Sequence, residues 1–335
     1  MTQPRLPAGK LPVALLRHLL AAHHEKAPEL LVPPSVGEDA AVIGLKGGAL
    51  VAAADPITLT GREIGGHAVT INANDVAVMG VRPQWFLAVV LLPVETTEAD
   101  VRALFEGMQQ ALDEGGIVLV GGHTEITPVV SQPVVVGQML GYEEHGRYIR
   151  TGGVRPGDAV LQIGLAPVEG AAVLANEAAD RLNAVPAALL ARARDGMREP
   201  GISVVAPALK AAALGATAMH DLTEGGLSAG LYEMAEASGL GLRVDTGAAL
   251  WFEPGKAICD ALGADPWGVL GSGAFLAAFP PGRVAEARRA LEADGHPTAL
   301  IATAEPGAGV ATKDGTALPR YEQDELSRIL SGPRA

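Results

Sequence analysis

Across residues 62–79, Ile64, Ala68, Ile71 and Val78 recur at spacings of three and four, and Asp75 falls in the same row. That spacing predicts a helix over 62–79 whose packed stripe carries a carboxylate. A buried, uncompensated carboxylate costs several kcal/mol, so any fold this chain adopts must give Asp75 a counter-charge. Arg62 or Arg82 would supply one in a structural ion pair, and a metal ion is the other solution. Asn72 and Asn74 stand beside it as neutral oxygen donors able to orient a phosphate or a metal-bound water.

Other segments place polar groups in short loops. Val36-Gly-Glu-Asp-Ala-Ala-Val-Ile43 sets Glu38 and Asp39 side by side before a run of β-formers. Adjacent carboxylates repel, and a cation or solvent must offset that repulsion. Hard oxygen ligands of this kind suit Mg²⁺, which binds through a few carboxylates together with substrate phosphates. Asp55, in Ala54-Asp-Pro56, sits at a strand exit, where it either caps a turn or joins a site. Gly121-Gly-His-Thr-Glu125 follows the apolar run Ile117–Val120 and reads as a loop. There Gly121 and Gly122 would let a backbone approach a phosphate, while His123, Thr124 and Glu125 offer a donor, a hydroxyl and a carboxylate; a plain turn is the alternative.

Farther on, His220-Asp-Leu-Thr-Glu-Gly-Gly226 opens a helix marked by Leu227, Leu231 and Met234. Asp221 and Glu224 have helix-cap spacing. His220, Asp221 and Glu224 with two glycines exceed a cap, however, and the helix start suits an anion. Glu224, three residues before Leu227, is expected to face the buried side and act as an acid or base. Gly271-Ser-Gly273 is a further glycine loop, and neither a P-loop nor a dinucleotide fingerprint occurs.

Length bounds the organisation: 335 residues suit two domains. Hydrophobic residues make up 48% and charged ones 19%, enough for large cores, and with 4% aromatics those cores must be aliphatic. Net charge is −13, which disfavours nucleic acid and acidic membranes as partners. Met1–Lys10 lack a signal-peptide core and no apolar run would span a bilayer, so the chain reads as cytoplasmic. An amphipathic helix is expected over 11–24. Strands follow at 41–43 and 50–54, then a strand at 84–92, a helix from Thr96 to Glu114 stopped by Gly115-Gly116, and strands at 117–120 and 134–140. This order predicts an α+β chain of two α/β domains. The parts are a helical extension (1–32), a domain at 33–150 with a four-stranded sheet and helices on one face, and a larger α/β domain at 151–335.

Taken in order, these segments resemble the ATP-dependent superfamily of aminoimidazole ribonucleotide synthetase (PurM-like), which includes thiamine-monophosphate kinase, selenophosphate synthetase and the hydrogenase maturation factor HypE. Val36–Ile43 is similar to its Gly-Asp-Asp-Ala-Ala-Val loop, with Glu38 replacing the first Asp. Asn74-Asp-Val-Ala-Val-Met-Gly80 looks like the Asn-Asp-Val-Ala helix of HypE-like members. His220–Gly226 resembles their His-Asp-Pro-Thr-Glu-Gly-Gly segment, with Leu222 for Pro. The resemblance covers about 33–330 and is nearest to HypE-like proteins.

It implies dimerisation through the first domains and ATP near the acidic loops. Asp39, Asp55 and Asp75, with Glu38, would hold Mg²⁺, and Asn74 would place the triphosphate. Gly121, Gly122 and Thr124 would line the same cleft with His123, where HypE often carries Asp. The activity implied is ATP-dependent phosphorylation or activation of an oxygen on a small-molecule substrate, with Glu224, His220 and Asp221 as catalytic groups. Alternatives are a kinase resembling thiamine-monophosphate kinase and a non-catalytic ATP-binding assembly factor. HypE ends in a carrier cysteine. This sequence ends Ser327-Arg-Ile-Leu-Ser-Gly-Pro-Arg-Ala335, and its single Cys259 is expected in packing, so full HypE chemistry is not expected.

Overall fold

The computed structural model describes residues 13–22, 28–58 and 63–331, which divide into two compact units. Residues 28–33, 39–58 and 63–148 form one; the other holds helix α1 (Val13–Ala22), residues 34–38 and residues 149–331.

In the first unit the strands are β1 (Leu30–Val32), β2 (Ala41–Leu45), β3 (Gly48–Ile57), β4 (Trp85–Leu92), β5 (Val118–Ile126) and β6 (Val134–Glu143). They form a single six-stranded sheet, ordered β1-β2-β3-β6-β4-β5, not the four strands expected. β1, only three residues long, is too short to show a period, and it adds to β2 by antiparallel pairing. All neighbours are antiparallel except β4 and β5.

Helices α2 (Ile64–Val78) and α3 (Glu98–Gly115) pack on each other, with α2 on β3 and β6. The start of α3 is fixed by a capping box: the Thr97 hydroxyl accepts from the Asp100 N–H and Asp100 accepts from the Thr97 N–H. Gly116 in the left-handed region (φ 62°) ends it, where the glycine pair predicted a stop. Helix α2 differs from the predicted stripe. Twelve of its 15 residues are buried, so it is enclosed on nearly all sides.

The larger unit orders its sheet β12-β9-β11-β7-β10-β8. These are β7 (Ala159–Gly164), β8 (Ala218–Asp221), β9 (Gly241–Val244), β10 (Ala274–Phe279), β11 (Thr298–Glu305) and β12 (Gly309–Thr312). Its remaining helices are α4 (Glu169–Glu177), α5 (Ala187–Arg194), α6 (Val205–Ala213), α7 (Gly226–Ser238), α8 (Glu253–Leu262), α9 (Val284–Ala293) and α10 (Glu325–Ser331). Helix α4 ends at Glu177, and a short 3-10 turn over Ala179–Arg181 follows it. Leu222, Leu227, Leu231 and Met234, all fully buried, join β8 and α7 to Leu276 and Ile301 in one core. No helix among the described residues is long and apolar enough to cross a membrane.

Candidate functional site

In the first unit Asp55 and Asp75 stand on β3 and α2, two elements that pack together. Asp55 lies inside β3, paired with Gly137 of β6, and not in a turn after it. Pro56 is tolerated there because β2 pairs with β3 only as far as Ala52, leaving one side of the strand free. The Asn72 carboxamide clamps the backbone of Asp55. Its Oδ1 accepts from the Asp55 N–H (2.9 Å) and its Nδ2 donates to the Asp55 carbonyl (3.3 Å) and to Ala68 (2.9 Å). Asn72, expected to orient a phosphate, thus holds Asp55 instead.

Gly137 makes this possible, since a Cβ there would lie 2.3 Å from Asn72 Nδ2 and 2.8 Å from the Phe86 ring. Asn74 and Asp75, two and three residues farther along α2, are 1% and 5% exposed. Arg62, one partner considered for Asp75, lies outside the described residues. Asp39, just ahead of β2, is half-buried.

The stretch Gly121–Glu125 is not a loop. It lies within β5, every residue of which is exposed. Phe86 pairs with Leu119 and Leu87 with Gly121, so Val120 is an extra residue in the ladder. Just beyond that bulge a Cβ on Gly122 (φ 150°) would fall 2.1 Å from the Ala88 carbonyl. The glycine is required by strand packing, whatever else it serves. Register places Asp55, Gly137, Ala88 and Gly122 in one row across the sheet, so Gly122 stands three strand spacings, about 14 Å, from Asp55. His123 Nε2 lies 3.3 Å from Glu125 on the same exposed strand.

Glu38 belongs to the larger unit. Its Oε1 accepts from Arg150 Nε (2.9 Å) and Nη2 (2.5 Å). Its Oε2 is buried with no hydrogen-bond partner. Arg150 therefore meets most of the charge expected to require a metal, and one oxygen remains to be satisfied.

His220 and Asp221 close β8 and are buried. The imidazole bridges two elements: Nε2 is 2.8 Å from Glu233 Oε2 on α7, and Nδ1 is 3.4 Å from the Thr151 hydroxyl. Glu224, by contrast, is exposed in the turn after β8, not on a buried helical face. Helix α7 begins only at Gly226, so counting from Leu227 assigned Glu224 a helical position it does not have. Neither Asp221 nor Glu224 is the N-cap residue of that helix. Its N-cap is Gly225 (φ 83°), without a side-chain cap of its own, and the Gly225 N–H donates to Asp324 Oδ2 at 2.6 Å.

Asp324 and Glu169 were missed in the sequence because their partners are distant. Burial pushes the Glu169 carboxyl up to about 7, with Glu224 and Asp324 adding to the rise and the Ser272 hydroxyl opposing it. That hydroxyl is buried beside Glu169 without a hydrogen bond of ordinary geometry. Asp324 is likewise raised by burial, to about 6, against the pull of the backbone N–H groups it accepts from. Cys259 is fully buried and its thiol is pushed up to about 12, chiefly by desolvation.

The fold and this distribution of groups define a known class. Residues 37–142 match the N-terminal domain of AIR synthase related protein and residues 155–314 match its C-terminal domain. The chain belongs to that family. It is 31% identical over 252 residues to carbamoyl dehydratase HypE of Cupriavidus necator, covering 72% of this chain and 68% of that protein. It is 29% identical over 222 residues to thiamine-monophosphate kinase of Methanospirillum hungatei, covering 63% and 68%. The fold is also that of HypE solved in complex with ATP (TM-score 0.72, 23% identity, 96% and 98% of the two chains). A HypE-HypF complex gives TM-score 0.74 at 20% identity, over 92% of this chain and 100% of the other.

Proposed function

We propose that this protein binds ATP with Mg²⁺ and transfers the terminal phosphoryl group to an oxygen of a small molecule. The observation that carries the reading is the α2–β3 contact, where Asn72 fixes the backbone of Asp55 and the buried Asn74 and Asp75 follow two and three residues on along α2. It lies in a fold shared with relatives named as a dehydratase and a kinase, one solved with ATP. The buried Asp75 and the half-buried Asp55, with neutral amides on the same helix, form a hard-oxygen donor set, which fits Mg²⁺. Asp39, Asp55, Asp75 and Glu38 are the ligand candidates. Asn74, Gly121, Gly122, His123 and Thr124 are the candidates for the nucleotide. Bound there, Mg²⁺ would neutralise charge on the phosphates.

The chain's own part is placement and proton handling. The acceptor hydroxyl forms the new O–P bond, the bond to ADP breaks, and the released proton goes to a carboxylate. Glu224, exposed at the glycine turn after β8, is the candidate for that role, and His220, within reach of Thr151 and Glu233, is buried behind it in β8.

ATP affinity by calorimetry, with Mg²⁺ and with excess chelator, tests the site. A fall of at least a hundredfold on chelation is expected, and equal affinities would reject it. Release of ADP that depends on a metabolite extract, with the phosphate traced by mass spectrometry, tests the chemistry.

A non-catalytic assembly role is the second reading, favoured by the buried thiol of Cys259, which cannot serve as an accessible carrier. Nucleotide binding without any ADP release would select it. The same reading of the fold makes the protein a homodimer through the first unit, its second copy covering the open face and exposed edge of that sheet.

A further inference from the structure

Helix α7 poses a local problem that its own sequence does not solve. It starts Gly225-Gly226, both in the left-handed region (φ 83° and 61°), and a Cβ on Gly226 would fall 2.4 Å from the Val269 carbonyl. Glycines supply no capping oxygen; the Gly226 N–H donates to the Thr223 carbonyl (3.0 Å), whereas the Gly225 N–H takes an acceptor from elsewhere. It comes from a residue ninety-nine positions later: Asp324 Oδ2 accepts from Gly225 (2.6 Å), while Oδ1 accepts from Leu326 (2.7 Å). The segment bearing Asp324 is anchored on both sides. Before it, Tyr232 donates to the Leu318 carbonyl (2.7 Å), Arg320 binds Glu236 (2.5 Å) and Tyr321 donates to Asp265 (2.6 Å). After it, Glu325 accepts from the Asp265 N–H (3.0 Å), and Arg328 donates to the Gly263 carbonyl (2.8 Å).

We propose that Asp324 is a positioning residue: held by this anchored segment, its carboxylate sets the Thr223–Gly226 turn and with it the placement of Glu224. The inference rests on the reading of Glu224 as the proton acceptor. A negative group at a helix start is further stabilised by the helix dipole. Burial, and to a lesser degree the nearby Glu224, oppose its charge, yet the N–H donors keep Asp324 mostly ionised near neutral pH.

The test compares Asp324→Ala and Asp324→Asn in the full chain, with Tyr321→Phe as a control for general loosening of the segment. Hydrogen exchange at the Gly225 amide, ATP affinity and ADP release per folded molecule are measured for each. In the Ala variant, exchange at Gly225 should quicken at least tenfold and ADP release fall at least tenfold, with ATP affinity within twofold. The Asn variant, keeping one acceptor oxygen, should fall between, and it stands in if the Ala variant fails to fold. Tyr321→Phe should leave Gly225 exchange within twofold. Unchanged exchange in the Asp324 variants would overturn the proposal, as would faster exchange with unchanged turnover. If the wild type releases no ADP, the phosphoryl-transfer reading falls, and the exchange data alone then decide whether Asp324 holds the turn.

Discussion

Both units build six strands into one sheet, yet they treat its faces differently. Along β3, β4 and β6 buried residues alternate with partly exposed ones, whereas every residue of β10 and β8 is buried. Sequence does not separate the two cases. Trp-Phe-Leu-Ala-Val-Val-Leu-Leu in β4 is as continuously apolar as Ala-Phe-Leu-Ala-Ala-Phe in β10. A continuous apolar strand belongs between two covered faces. In the larger unit the chain covers both. In the smaller one, α2 and α3 cover one face, and Leu87, Val89, Leu91 and Val136 on the other stay only half-buried. The difference teaches that the smaller sheet has the composition of an interior and, within its own unit, the exposure of a surface.

The largest expected effect breaks that comparison directly. Val118, 57% exposed on the edge strand β5, tolerates a charge in the isolated unit. Val118→Asp should convert the proposed dimer to monomer in light scattering at micromolar concentration, with far-ultraviolet circular dichroism unchanged. A wild type that is already monomeric would refute the covering copy. The matching change in the closed sheet, Leu276→Ala, should leave association alone and destabilise by roughly 2–5 kcal/mol in denaturant titration.

Glu169→Gln should act through pH. The folded-state pKa of Glu169, about 7, lies above the ordinary 4.5, so the fold prefers the neutral acid. The ionisation penalty is absent below about pH 4.5, grows as pH rises and is complete above 7, worth about 3 kcal/mol at most. The variant should therefore gain roughly 1–3 kcal/mol over wild type at pH 8 and nothing at pH 4. Equal stability differences at both pH values would show that Glu169 is not held neutral.

Gly137→Ala should cost roughly 1–3 kcal/mol by forcing Asn72 off Asp55, and weaken ATP binding more than twofold per folded molecule. Full affinity would separate the Asn72 clamp from the nucleotide site.

Much of the fold was legible in local sequence. The glycine pair that stops α3 and the apolar runs of β4 and β6 marked elements close to where they stand. What escaped was set by distant partners or short length. β1 and α10 span three and seven residues, too few for a period to declare itself. Gly121-Gly122 suggests a turn, but those glycines admit a bulge against β4, information held in Ala88. At the site, the acidic residues were visible by type and spacing. The role of Asn72 depends on Asp55 and Gly137, and the missing cap of α7 on Asp324, none of which is adjacent in sequence.

That distant cap also gives the chain a timetable. Asp324 is made ninety-nine residues after Gly225. At about 5–20 residues per second, roughly 5–20 s of synthesis separate the two. For most of that interval the first turn of α7 lacks this acceptor, and a nascent chain stalled between Ser238 and Asp324 would carry a complete β8–α7 sequence with an unfinished helix start.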